Sequence, residues 1–186
     1  VAMQVIPRTG RVVSYLVDER GKGLQSLGGD VVNSQSEPSK LLLIPGVAHS
    51  KDNKSHILRI LNPSIASAVV TVEVLSKDGR YIPVGLDGRK VGAGKVSDFV
   101  IDFESKQSSF GLRITSDQPI AASAYSRIGK DFVWSSAVAP NATGTWAITG
   151  LDPVMQFIGD EITVKVTALL PGKKHVSKTI TGVDYA

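Results

Sequence analysis

The segment AHSKDNKSH, residues 48–56, places His49, Asp52 and His56 close together in the chain, the first grouping that could do chemistry. Imidazole nitrogens and a carboxylate are metal ligands, and a loop can wrap an ion with them. The spacing matches no established zinc pattern, and Lys51 and Lys54 interrupt the trio with charges that repel a cation. The expectation is a solvated hairpin tip with no metal site. The third histidine, His175, stands far away in sequence. Cysteine is absent, which excludes disulfides, thiolate metal sites and cysteine nucleophiles. No G-x-S-x-G elbow is present for a serine nucleophile. The tetrapeptide Gly92-Ala93-Gly94-Lys95 lacks the spacing and the Ser/Thr-headed helix of a phosphate loop. Asp98 and Asp102 would share one face of a strand, but about 13 Å apart by strand rise, too far for a working carboxylate pair. No residue is therefore assigned a catalytic, cofactor-binding or metal-binding role, and the chain is expected not to be an enzyme.

Two further groups are candidates for binding. Trp134, Trp146, Tyr81 and Tyr125 could build a stacking platform for a sugar, although large aromatics in β proteins more often fill the core. Asn62 could hold a ligand. Its position before Pro63 fits better with a strand end, where asparagine bonds nearby backbone and proline donates nothing to a ladder. The sequons at Asn53 and Asn141 mark loops.

The elements that must carry these residues are strands. About twelve short segments rich in Val, Ile, Thr and aromatics alternate with period two, among them HILRIL, AVVTVEVL, KVSDFVIDF, FGLRIT, IAASAYSRI and DFVWSSAV. Turn-forming clusters separate them, including NSQSEPS, SKDGR, LDGRK, SDQP and PNATG. Only GLQSLGGDVVNS could hold one helical turn, and its paired glycines oppose even that. Short strands at such spacing indicate an all-β fold, an antiparallel β-sandwich, either as one module or as two related ones. Leu58 and Ile60 should face inward opposite Arg59, and Val70, Val72 and Val74 inward opposite Thr71, Glu73 and Leu75. Asp78-Gly79 should turn a hairpin, glycine supplying a positive φ.

The stretch Val70 to Arg80 can be laid on Ile162 to Lys173, an echo that fits either a second module or two ordinary strands. The expected organisation is a β-sandwich module over residues 1–139. Residues 140–186 would be the start of a second β-module or the completing strands of the first, with APNATG at the boundary.

Composition narrows the partners. The chain has 186 residues, 42% hydrophobic and 20% charged, which suits a folded globular protein. Its net charge of +4 is spread without a like-charge run, and aromatics make up 6%, so no basic, aromatic-studded face for nucleic acid is expected. No apolar run reaches the roughly 18–20 residues that span a bilayer, and the start VAMQVIPRTG has no signal-peptide form.

The order GRVVSYLVDERGKGLQSLGGDVV, LLLIPGV, LRILNPSIASAVVTVEVLSKDGRYIPVGLDGRKVGAGKVSDFVID, LRITSDQPIAASAYSR and DFVWSSA resembles a family of actinobacterial secreted or envelope-attached proteins of unknown function. The similarity runs from about Gly10 to Ala139 and more loosely to Val183. The resemblance implies export, hence an extracellular or cell-envelope location, and it carries no site residues. The expected role is a non-enzymatic structural or interaction module of an exported cell-envelope protein, with another envelope protein or a polysaccharide as partner. The alternative is a carbohydrate-binding module for a cell-wall polysaccharide.

Overall fold

The structure is a computed structural model that describes residues 15–17, 31–33, 38–52, 54–128, 131–140, 158–168 and 176–185. Twelve strands follow one another, and among the described residues there is no helix: β1 (Tyr15–Val17), β2 (Val31–Asn33), β3 (Ser39–Ala48), β4 (Ser55–Leu61), β5 (Ala68–Ser76), β6 (Gly79–Tyr81), β7 (Arg89–Val91), β8 (Val96–Asp102), β9 (Ser109–Ile128), β10 (Asp131–Ser136), β11 (Ile158–Ala168) and β12 (Val176–Tyr185). The fold is all-β and every strand pair is antiparallel. β3 to β10 form one curled eight-stranded sheet with the central path β6-β5-β9-β4-β8, while β1 pairs with β2 and β11 with β12. Trp146 and the segment around Asn141 lie outside the described residues, as do Asn53 and His175.

β9 runs for 20 residues and organises the sheet. Its first half lies between β3 and β5, its second between β4 and β10. The cluster SDQP, expected as a turn between two strands, is instead the middle of this one. The ladder to β5 ends at Ser116 and the ladder to β4 begins at Ala121, so Pro119 falls where no N–H is owed to either neighbour. Asp117 Oδ1 accepts the Val69 N–H at 2.7 Å, a side chain standing in for a ladder carbonyl. Two other short strands also escaped the alternation pattern. Val31–Asn33 lies where a helical turn was conceivable, and Arg89–Val91 begins inside the expected turn LDGRK.

Alternation sets the core. On β9 the even positions Phe110, Leu112, Ile114, Ile120, Ala122 and Ala124 are buried. They meet Leu58 and Ile60 from β4 and Val70, Val72 and Val74 from β5, the inward sets expected from the sequence. Leu58 faces Ala124 and Ile60 faces Ala122, so large and small side chains alternate across the ladder as a tight curl requires. Arg59 and Glu73 lie on the outer side; Leu75 is the exception, buried beyond Glu73. The hairpin at Asp78-Gly79 forms as expected, with Gly79 at φ 116°.

The two ends of the curled sheet are joined by side chains instead of a ladder. Tyr81 on β6 donates its hydroxyl to the Asp102 carbonyl at the end of β8. Asp78 in the β5–β6 turn accepts from Ser105 Oγ and Gln107 Nε2, and Gln107 Oε1 accepts the Lys77 N–H.

Asn62 closes the other end. It is fully buried, and its Nδ2 donates to the carbonyls of Ala66, Val91 and Gly92 at 2.8, 3.0 and 3.2 Å while Oδ1 accepts the Ser64 N–H. Its backbone N–H donates to the Lys95 carbonyl, and the Gly94 N–H to the Ser64 carbonyl, so the Gly92–Lys95 loop is a turn bound to Asn62. Every polar atom of this side chain is spent on backbone, which makes Asn62 a structural residue. Asn62→Ala strands several buried groups and should cost about 2–4 kcal/mol in urea unfolding. Asn62→Asp should cost at least as much despite its near-identical shape, because a carboxylate would face three carbonyl oxygens. A fully stable Asn62→Asp protein would show that the amide is not the tie.

Candidate functional site

The sheet has an inner and an outer face, and the sequence candidates divide between them. β4 points His56, Leu58 and Ile60 inward, and Asn62 just beyond it is buried on the same side, so an apolar row ends in a polar residue at each extremity. His56 is 1% exposed and His49, just beyond β3, is 6% exposed. The structure therefore brings these two histidines together inside the sheet, which corrects the solvated hairpin tip expected from the sequence: among the described residues between them, only Lys51, Asp52, Lys54 and Ser55 are exposed. His49 Nδ1 lies 3.1 Å from His56 Nε2, His49 Nε2 lies 3.1 Å from the Ser105 carbonyl, and His56 Nδ1 lies 2.6 Å from Ser126 Oγ. Phe103 stands edge-on to His49 and Phe110 edge-on to His56.

The protons in this relay follow from its last acceptor. A carbonyl only accepts, so His49 Nε2 carries a hydrogen; the neutral ring then accepts at Nδ1 from His56 Nε2–H, and His56 accepts at Nδ1 from the Ser126 hydroxyl. With one hydrogen on each ring, all four nitrogens are used. Burial, followed by the neighbouring His49, lowers the His56 pKa from 6.5 to about 4, against an opposing pull from Asp102. Ser126, His56 and His49 form a hydroxyl–imidazole–imidazole series, but the Ser126 side chain belongs to a residue 1% exposed and has no approach from solvent in this conformation. Asp52 is exposed in the turn, and among the described residues no three His, Cys, Asp or Glu side chains form a metal-binding group.

The outer face collects the rest. The registers of β10, β9, β4 and β8 align Trp134, Tyr125, Ile57 and Val100 in one row across four strands. Trp134 and Tyr125 stack at 4.4 Å between centroids with planes 35° apart, and Arg59 lies 5.8 Å from the centre of the Tyr125 ring. Val100 is 57% exposed, and the other three are half-buried. The next row carries Arg59 opposite Asp98, joined by two hydrogen bonds of 2.7 Å. That contact holds the Asp98 carboxyl below its ordinary range and raises Arg59 further. Asp102 is bound separately by Ser55 Oγ. Leu61 and Val96 extend the apolar surface along the strands. Of the four aromatics singled out, Tyr125 and Trp134 meet here, and Tyr81 sits at the β6–β8 seam. Ile57 and Val100 were not anticipated as part of a surface; alternation put Ile57 outward, but the register that joins it to Trp134 is not written in any one strand.

The Arg59–Asp98 pair is two-pronged and only partly exposed, at 27% and 40% of the two side chains. A double-mutant cycle with Arg59→Ala and Asp98→Ala, read by urea unfolding, should give a coupling of about 0.5–1 kcal/mol, since partial exposure lets water screen the pair. A coupling of zero would mean that the two side chains do not hold each other in solution.

No curated protein matches this chain. Two similar solved structures are the crystal structure of Thermotoga maritima 1070 and the Anabaena sensory rhodopsin transducer. The first is 12% identical with a TM-score of 0.43 and covers 54% of this chain and 93% of its own. The second is 18% identical with a TM-score of 0.37 and covers 52% of this chain and 92% of its own. A family model, by contrast, matches residues 1–182, nearly the full length. The chain belongs to the family of unknown function DUF5719.

Proposed function

We propose that this chain is a non-enzymatic interaction module of an exported actinobacterial cell-envelope protein, and that it meets an envelope protein through the outer face of β8, β4, β9 and β10. The observation that carries this reading is the row Trp134, Tyr125, Ile57 and Val100 lying across four hydrogen-bonded strands. Aromatics together with aliphatics on a rigid surface are the material of protein interfaces. The charged pair beside the row is already self-neutralised, so covering it leaves no lone buried charge. The exported location and the actinobacterial source rest on the resemblance of residues 10–139 to secreted and envelope-attached proteins.

The half-exposed Trp134 favours a second reading, a carbohydrate-binding module for a cell-wall polysaccharide. Against it, Tyr125 has Trp134 on one side and the Arg59 guanidinium near its ring, which leaves less open aromatic face than a sugar platform uses.

Two experiments separate the readings. A photo-crosslinking residue at Val100 should give a discrete adduct with an envelope protein in intact cells, and one at the exposed Ile65 should not. Equal adducts from both positions, or none from Val100, would sink the interface. In a pull-down on purified cell-wall polysaccharide, the interaction reading predicts weak retention lost at high salt, because the diffuse +4 charge is screened within about 8 Å. Retention at high salt that vanishes in a folded Trp134→Ala variant would establish the carbohydrate reading instead.

A further inference from the structure

We propose that His49 and His56 form a proton-operated latch on the loop at residues 103–108, holding it against the end of the curled sheet while the two rings together carry at most one proton beyond their neutral forms and releasing it when both are doubly protonated. The loop is tied to the end of β3 at two points that flank its middle. His49 Nε2–H donates to the Ser105 carbonyl, and the His49 backbone N–H donates to the Ser108 carbonyl at 2.8 Å. Phe103, at the start of the loop, packs edge-on to the same imidazole and sends its N–H to the Lys54 carbonyl. Moving His49 therefore moves both anchors.

The relay takes a first proton without breaking. With His49 doubly protonated, Nε2–H still donates to Ser105 and Nδ1–H donates to His56 Nε2. His56 then carries its own hydrogen on Nδ1 and donates to Ser126 Oγ. The bonds reverse direction and no atom moves far. A second proton has no such solution: it sets N–H against N–H across 3.1 Å and places two positive charges among buried rings.

The charged groups on the surrounding elements do not relieve this. Asp102 at the end of β8 favours a proton on His56 but loses to burial and to His49. Lys51 and Asp52 are exposed in the β3–β4 turn, and Lys54 and Glu104 pair with each other at the surface. Arg127 follows Ser126 on the outer, exposed side of β9, and Asp78 holds the loop from the β5–β6 turn through Ser105 and Gln107.

The pH window follows from the folded and free values. His56 in the closed state holds off its proton down to about 4, whereas a ring released to solvent titrates near 6.5. Closure is thus fully favoured above about 6.5, weakens as pH falls from there to about 4, and changes no further below. An opening that also frees the His56 ring becomes easier as pH falls through that interval, by at most about tenfold for each pH unit.

Amide hydrogen exchange on the full chain tests the latch, with rates corrected for the intrinsic pH dependence. Between about pH 7 and about pH 4.5, protection at the His49 and Phe103 amides should drop about 100-fold, while Val72 and Ile114 in the core keep theirs. His49→Gln retains an amide donor for the Ser105 carbonyl but takes no proton. In that variant the acid loss should shrink to a few-fold, and His56 should titrate closer to 6.5. Unchanged protection at His49 and Phe103, loss in step with the core, or a His49→Gln protein as acid-sensitive as the parent would each overturn the proposal. Should the variant not fold, NMR titration of the parent decides: two histidines titrating independently near the ordinary value rule the latch out.

Discussion

The structure depends on β9 staying in phase. A strand that slips by one residue turns its whole buried set outward, and β9 buries its even positions on both sides of the crossover, Phe110 to Ile114 and Ile120 to Ser126, while exchanging one pair of neighbours for another. The exchange is the delicate point. Between Ser116 and Ala121 the strand leaves the β5 ladder before joining β4, and Asp117 and Pro119 occupy that gap. One accepts a stray N–H and the other has none to lose. A curled sheet with a single enclosed core results because the same strand lines both halves of it.

That same point explains what could and could not be known from the sequence. The inward sets on β4 and β5 were legible from alternation, because each needs only its own strand to be named. So were the Asp78-Gly79 hairpin and the role of Asn62 at a strand end. The continuity of β9 was not, since Ser-Asp-Gln-Pro carries the chemistry of a turn and only the change of neighbours makes it suitable inside a strand. Arg89–Val91 was missed for a related reason: a three-residue strand is held by its partner β5 more than by its own composition.

The functional features lie further from the sequence still. His49 and His56 were near each other in the chain, but their partners are Ser105 and Ser126, supplied by segments beyond β8, and these turn an apparent ligand pair into an internal relay. The outer row is likewise a product of three registers acting together. Trp134 was visible as an aromatic on a strand; that it stands in line with Ile57 and Val100 depends on pairings between strands up to about 70 residues apart in sequence. Asn62 and His49 share a logic, because each satisfies polar backbone at one extremity of the apolar core.

The order of the strands along the chain has a consequence for biosynthesis. β3, β4 and β5 all precede β9 and all pair with it. As the polypeptide emerges from the ribosome, the hairpin of β5 with β6 can close at once and β4 can find β8, yet β3 and the second edge of β4 must wait for partners until Ser109 to Ile128 has been made. Such late, sequence-distant pairing makes folding slow, and it leaves the nascent chain exposed to aggregation for seconds at ordinary elongation rates. A chain built this way stays unfolded long enough for a chaperone to take hold of it, and β9 is the strand that ends that interval.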